Sequence, residues 1–378
     1  MRALRLYAGP RAMRQIARDG LQAADIGTVA GAAGGPKGLI LGPLDRFVFG
    51  QWLAQSAQQV HLVGASIGAW RMATACLEDN LAAFARLEYD YIHQDFELGP
   101  GIKRPTPDMV SELFGRNLRA FYGSRAAQVL GHPRYRLHVV TARGRHLLGR
   151  DHGWRTPVGY LGAFLTNSVH RRAMGAWLER VVFSSAGAAL PFDSRDYRTR
   201  QVALSEANFH PALQASCSIP FMLRAVHDIP GAPPGAYWDG GITDYHLHLN
   251  YAAAPVDAAG QASAAATARP ADGPKRRPLV LYPHFQQAVV PGWLDKGLRW
   301  RHKPTHFLDN LLLLAPDPDW VRGLPNGKLP DRNDFMHYGG DLAGRVKAWS
   351  AAASASAQLA DEFAHWLRAP DMGQVRPL

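Results

Sequence analysis

Ser66 stands between two glycines in the stretch Val60-His61-Leu62-Val63-Gly64-Ala65-Ser66-Ile67-Gly68-Ala69-Trp70. The apolar, β-branched run that stops at Gly64 predicts a strand, and the run from Ala69 to Leu81 predicts a helix just past Gly68. In so tight a strand-to-helix turn, a Cβ on either glycine would collide with the neighbouring element. The serine is pushed onto the tip, its hydroxyl exposed at the carboxyl end of a strand. The helix behind it offers N–H groups to any negative charge that develops there. Such a serine can attack an electrophilic carbon if a nearby base takes its proton. The bland alternative is a strand–helix turn without chemistry, in a chain with 37 glycines.

Two further stretches supply what a serine nucleophile needs. Ile26 to Ala33 reads as a strand thinned by small residues, followed by Gly34-Gly35-Pro36-Lys37-Gly38 and an apolar helix from about Leu39 to Leu53. Its glycine spacing does not fit a dinucleotide fingerprint, and it lacks the Gly-Lys-Ser/Thr of a Walker loop. Backbone N–H groups left unpaired at such a turn suit an oxyanion. Pro36 has no N–H, so Gly34, Gly35, Lys37 and Gly38 are the candidate donors. Tyr237-Trp238-Asp239-Gly240-Gly241 ends a short aromatic strand with an acid on a glycine turn. An aspartate held within hydrogen-bond reach and partly desolvated can act as the base. Turn aspartates before glycine are also common without any such role.

Taken in order, and with Ala215-Ser216-Cys217-Ser218-Ile219-Pro220-Phe221 ahead of the last, these stretches resemble the patatin-like phospholipases, acyl hydrolases with a Ser-Asp dyad. The resemblance covers residues 26–285 and lies in the order and context of several motifs. It implies a three-layer α/β/α fold around a central, mostly parallel sheet. It also implies Ser66 as nucleophile, Asp239 as base, and Gly34, Gly35 and the turn through Lys37 as the oxyanion loop. Gly64 and Gly68 then shape the elbow, and Gly240 and Gly241 the aspartate turn. The implied substrate is a lipid or other acyl ester, with no cofactor. The chain departs from the family at Ala33, where a glycine run usually begins, and at Lys37, where arginine is usual. Ile242-Thr243-Asp244 follows the aspartate turn in place of Asn-Pro.

Two other readings use the same residues. An α/β-hydrolase triad would take its histidine from His284 or His306, leaving the glycine-rich loop and the Asp-Gly-Gly turn as coincidences. A non-catalytic scaffold would bind lipid or protein through its basic surface, and would have no need of both Ser66 and Asp239.

The elements that position these residues follow from periodicity. Residues 1–25 read as a helical lead-in, with Met13, Ile16, Ala17 and Leu21 at helical spacing. Strands are expected at Leu137–Ala142, Val181–Ser184 and Leu279–Tyr282, and Val202 to Leu223 reads as helical in its first half. The Ala/Gly/Pro/Ser-rich segment 252–277 reads as a flexible insertion, and Phe96 to Asp108 as a loop. Residues 286–378 form a mainly helical extension, in which Leu311 to Leu314 reads as buried core and Asp341 to Leu367 as an amphipathic helix. The two motif loops should emerge at one carboxyl edge of the sheet, where ligands bind in open α/β folds.

Composition narrows the classes. Hydrophobic residues make up 47% and charged residues 19%, which is globular composition. Cys76 and Cys217 read as small buried hydrophobes, without the spacing of a metal site. His246 and His248 alternate on one strand face, yet no third ligand is placed beside them, so surface or packed histidines are the expectation and no metal is expected. The net charge of +11 favours anionic partners. Without a zinc finger, helix-turn-helix spacing or aromatic–basic RNA signature, nucleic acid is not expected. Arg299 to Lys303, with Trp293 and Trp300, form a candidate contact with an anionic membrane surface, against the alternative of a solvated helix face. No run approaches a membrane span and no signal peptide is evident, so a cytoplasmic location is the expectation.

Overall fold

Eleven strands among the described residues join in one sheet. The structure, a computed structural model, describes residues 2–96, 105–253 and 277–378. The strands are β1 (Leu4–Ala8), β2 (Ile26–Gly31), β3 (Val60–Ala65), β4 (Tyr135–Gly144), β5 (Leu178–Ser184) and β6 (Thr199–Ala203). They continue with β7 (Val226–His227), β8 (Ala236–Asp239), β9 (Leu279–Pro283), β10 (Leu311–Pro316) and β11 (Val375–Pro377). The order is β11-β1-β10-β9-β2-β3-β4-β5-β6, with β8 paired to β4 and β7 to β8. From β10 through β4 every neighbour is parallel. Helices cover both faces, giving the three-layer α/β/α architecture.

Burial explains the composition of the strands. β2, β9 and β10 are buried along their whole length, so they read as continuous apolar or small runs rather than alternating ones. The Leu311–Leu314 run is therefore core, at the centre of the main hydrophobic cluster.

Several elements differ from the sequence expectation. Helical spacing holds for Pro10–Asp19, but Leu4–Ala8 ahead of it is a strand, antiparallel to β10. The mainly helical 286–378 segment likewise gives β10 and β11 to the same sheet. The stretch expected to be one helix from Leu39 to Leu53 is a succession of short turns: a 3-10 turn over Gly35–Leu41, an α-helix over Gly42–Phe47, a π-turn and a last 3-10 turn. The elbow helix spans Ile67–Ala75 and a separate helix follows at Asn80–Ile92. Val202 lies in β6, and the helix there is Glu206–Ser216. The Asp341–Leu367 helix is two, Leu342–Ala355 and Ala357–Arg368, separated by the buried Ser356. Of the flexible insertion, residues 254–276 lie outside the described residues, as do 97–104 of the Phe96–Asp108 loop.

Candidate active site

β2 and β3 are parallel neighbours, with Gly31 opposite Gly64, so the two glycine loops leave the sheet side by side. Close approach depends on missing side chains. A Cβ on Gly68 would lie 1.8 Å from Gly31 O, and one on Gly64 would lie 2.4 Å from Ala69 Cα. Only glycine lets the Ile67–Ala75 helix start this close to both strands. Ser66 sits between them at φ 56° and ψ −131°. A non-glycine residue held at positive φ stores about 1–3 kcal/mol of strain, which the surrounding structure must offset.

Asp239 reaches Ser66 by a route with no sequence signature. β4 outruns β3: Ala65, the last residue of β3, pairs with Val140, and β4 continues to Gly144. The opposite edge of β4 is taken by β5 over this length. β8 therefore occupies the edge that β3 vacates, running antiparallel to β4 and ending with Asp239 opposite Thr141. β3 and β8 thus meet with their carboxyl ends facing, and Ser66 and Asp239 close the gap. The Ser66 hydroxyl donates to Asp239 Oδ2 at 2.7 Å. The other carboxylate oxygen accepts the Gly241 N–H at 2.7 Å. Gly240 turns the chain away where a Cβ would fall 2.0 Å from Val140 O.

The Ala215–Phe221 segment braces both halves. Ser216 Oγ accepts the Ser66 N–H at 3.0 Å and donates to Val140 O at 2.7 Å. Ser218 O accepts the Asp239 N–H at 2.9 Å, and Ser216 O accepts that of Gly240 at 3.2 Å. The aspartate turn, which lacks Asn-Pro, is held instead by a buried ion pair. Arg180 donates to both Asp244 oxygens, at 2.6 and 2.7 Å, and both side chains are fully buried. Arg171 adds bonds to Thr243 O and, at 3.3 Å, to Asp244.

Ser66 and Asp239 are only 4% and 5% exposed, so the serine lies in the floor of a cavity rather than on an exposed tip. That cavity holds about 200 Å³, and Gly34 and Lys37 form part of its wall. Gly35 and Gly38 face a smaller recess behind it, with Asp45, Arg71 and Tyr91. The first N–H groups of a helix lack acceptors within it. Those of Gly34 and Gly35 meet no other acceptor among the described residues. Gly35 adopts φ +58°, which aims its peptide in a way few other residues permit.

Burial raises the Asp239 carboxyl above its ordinary value, against the Ser66 hydroxyl, the Arg332 charge and the Gly241 N–H. A carboxylate so raised is a better proton acceptor. Burial followed by the Asp239 charge pushes the Cys217 thiol far up, so it stays protonated beside the serine. Lys37 is shifted down by burial.

The cavity wall includes residues that sequence reading did not single out: Tyr245, Lys296 and Arg332. Trp293, assigned above to a surface patch, also lines this cavity. Arg301 of that patch is committed to Asp295 at 2.9 Å, while Arg299, Trp300 and Lys303 are exposed. No local motif marks Lys296 or Arg332, because each enters from a segment remote in sequence.

The histidines are packed. His246 and His248 lie in an irregular segment after Gly241–Asp244, not on a strand. His246 Nδ1 lies 2.9 Å from Ala288 O and 3.0 Å from the Val290 N–H, and His248 Nε2 meets Thr305 Oγ1 at 2.9 Å. Burial holds His246 far below its ordinary value and His248 at about 4, so both are neutral. Among the described residues no three His, Cys, Asp or Glu side chains gather as metal ligands. His284 is fully buried with its Nδ1 on the Gln286 N–H, and His306 is exposed. Neither hydrogen-bonds Ser66.

Fold and site together define a three-layer α/β/α protein with a buried serine–carboxylate pair at the carboxyl edge of its sheet. Compared with protein-family models and with curated proteins, the chain has no match. The patatin-like resemblance rests on the motifs of this chain.

Proposed function

We propose that the protein is a serine acyl hydrolase that cleaves lipid carboxylic esters, in the manner of a phospholipase A or lysophospholipase. The observation that carries this reading is the direct 2.7 Å bond from Ser66 Oγ to Asp239 Oδ2. Ser66 Oγ attacks the ester carbonyl carbon as Asp239 takes its proton, and the carbonyl electrons move onto oxygen. N–H groups of the Gly34–Gly35 turn hold that oxyanion; one such donor is worth about 3 kcal/mol of barrier. On collapse the C–O bond breaks and Asp239 returns the proton to the leaving alcohol. Water then attacks the acyl-enzyme, losing its proton to Asp239, and the acid departs as Ser66 regains its hydrogen.

A triad is disfavoured because the carboxylate, not an imidazole, accepts from the serine. A pure scaffold would have no use for a strained serine bonded to a buried aspartate. The lipid reading and a peripheral contact with an anionic membrane surface draw support from the helix Arg155–Val169. Val158, Leu161, Leu165 and Val169 recur along one exposed side, Val169 at 85% exposure. Phe221 and Met222, both exposed, continue from Ile219 and Pro220 on the cavity wall. Exposed apolar area of this kind marks an interaction surface. Among the described residues no helix is long and apolar enough to cross a membrane. A cytoplasmic location belongs to this proposal, since Cys76 and Cys217 are both free thiols.

Fluorophosphonate labelling tests the nucleophile. Wild type should label at Ser66, and Ser66→Ala should neither label nor hydrolyse p-nitrophenyl butyrate while keeping the wild-type circular dichroism spectrum. Retained activity in that variant ends the reading.

A further inference from the structure

Three cations converge on the cavity above the dyad: Lys37 from the glycine-rich turn, Lys296 after the Trp293–Asp295 turn, and Arg332 ahead of the Asn333–Tyr338 helix. Among the described residues none of the three has an ion-pair partner. The carboxylates on the same wall are already engaged. Asp239 holds Ser66 and Gly241. Asp331 meets Lys328 at 2.9 Å and accepts the Asn333 N–H at 2.8 Å.

The cations are close enough to affect one another. Arg332 packs over the glycine turn, so that a Cβ on Gly35 would lie 3.2 Å from its Nε. The Lys296 ammonium stands 4.0 Å from the Tyr245 ring centre. Desolvation there, with repulsion from Arg332 and Lys37, lowers it to about 8. Lys296 and Arg332 are exposed at the cavity mouth and Lys37 is half-buried, so water screens part of their repulsion; an anion seated among them removes the rest, and charge-assisted bonds to phosphate or carboxylate are the strong ones.

Resting on the hydrolase reading, we infer that Lys37, Lys296 and Arg332 form a subsite for a phosphate monoester or carboxylate carried by the substrate close to its scissile ester. The cavity, at about 200 Å³, is smaller than pockets for drug-sized ligands. It suits a compact anionic group, with the acyl chain leaving through the mouth. A zwitterionic phosphocholine head brings its own cation, which would meet three positive charges and no free carboxylate. The subsite therefore selects the anionic ester over its zwitterionic counterpart.

The subsite can be read without catalysis. Calorimetric titration of inorganic phosphate into Ser66→Ala should give saturable binding, and adding Lys296→Met with Arg332→Met should weaken it by about tenfold or more. The charge-conserving pair Lys296→Arg with Arg332→Lys should restore most of that affinity, which separates loss of charge from misfolding. Kinetics supply the second arm. The kcat/KM ratio of mono-p-nitrophenyl glutarate over p-nitrophenyl butyrate, and of lysophosphatidate over lysophosphatidylcholine, should exceed one in the wild type and fall in the double Met variant. A shift in the soluble pair alone assigns the subsite to small esters, and a shift in both assigns it to lipid headgroups as well. Absent phosphate binding, or binding the double Met variant leaves unchanged, overturns the inference. Failure of the hydrolase reading would show instead as turnover surviving Ser66→Ala, an outcome to which the phosphate titration is indifferent.

Discussion

Asp239 and Asp244 stand at the two ends of one short turn, both buried, and their surroundings push their carboxyls in opposite directions. Burial raises Asp239, and its bonds to Ser66 and Gly241 offset this only in part. Burial would raise Asp244 too, but attraction to Arg180, the Arg180 hydrogen bonds and Arg171 bring it below the ordinary value. One carboxylate is tuned to take a proton, the other to keep its charge and hold the turn.

Opposite stability effects follow from this contrast. A carboxyl raised in the folded state costs stability once pH exceeds its unfolded value of about 3.9, so Asp239→Asn should be neutral or stabilising at pH 7 while losing most activity. A carboxyl lowered in the folded state adds stability above about pH 3.9 that is lost as pH falls through its folded value. Asp244→Asn should therefore destabilise at pH 7, by about 3–5 kcal/mol, because it strips the buried Arg180 of a partner. Thermal unfolding of both variants from pH 3 to pH 8 checks the signs. Equal losses at pH 7 would sink the assignment.

On the hydrolase reading, the raised Asp239 also sets the acid limb of activity. The base must be ionised to accept the serine proton, so kcat/KM for a neutral ester should fall with acid at a pH above the ordinary carboxylate range. A limb at or below about pH 4 contradicts a desolvated base.

On the alkaline side Lys296 titrates. With a value near 8, and Arg332, Lys37, Asp239 and the Tyr245 ring around it, it loses its charge as pH rises through that value. Preference for the carboxylate-bearing ester should shrink above about pH 8, since one of three cations has been neutralised. A preference flat from pH 7 to pH 9 would remove Lys296 from the subsite.

Ser216 braces the Ser66 turn. Ser216→Ala removes the acceptor of the Ser66 N–H and the donor to Val140 O, leaving a buried N–H without a partner. The expected loss is about 1–3 kcal/mol of stability. A fall in kcat should exceed any change in KM, because the elbow, not the binding wall, loses its brace. Ser216→Thr, which restores the hydroxyl, should recover part of kcat. Wild-type kcat in Ser216→Ala would show that the elbow holds its conformation alone.

Gly35→Ala probes the proposed oxyanion turn. At φ +58° an alanine is strained by about 1–2 kcal/mol, and its Cβ presses on the Arg332 guanidinium. Displacing N–H groups aimed at the transition state should cut kcat about a hundredfold and change KM little. A change in KM alone would recast the loop as a substrate-positioning element.

Adsorption to lipid should depend on charge and on the apolar helix face together. Each Lys or Arg near an anionic leaflet adds about 1 kcal/mol, screened beyond about 8 Å at physiological salt. Co-sedimentation with anionic vesicles should weaken as salt rises, and Leu161→Glu with Leu165→Glu should reduce it further. Equal binding to neutral and anionic vesicles at low salt would leave the net charge as a solubility feature.

What the chain states locally, the sequence determined by itself. The glycines at 64 and 68, the strand before them and the helix after them describe the elbow, because a close strand–helix turn is excluded for residues with a Cβ. The glycine-rich turn after β2 and the acid ahead of Gly240 are legible for the same reason, as is the buried character of Leu311–Leu314. Periodicity misjudged Leu4–Ala8, since a short apolar strand and a helix start look alike until a partner strand is present. The tertiary structure alone decided that β8 takes the edge of β4 that β3 leaves open, which brings Asp239 to Ser66. It alone decided that Arg180 braces the aspartate turn and that Lys296 and Arg332 join Lys37 over the dyad. Those contacts join residues far apart in the chain, and their cause is sheet register and the burial of charge, neither of which leaves a local pattern to read.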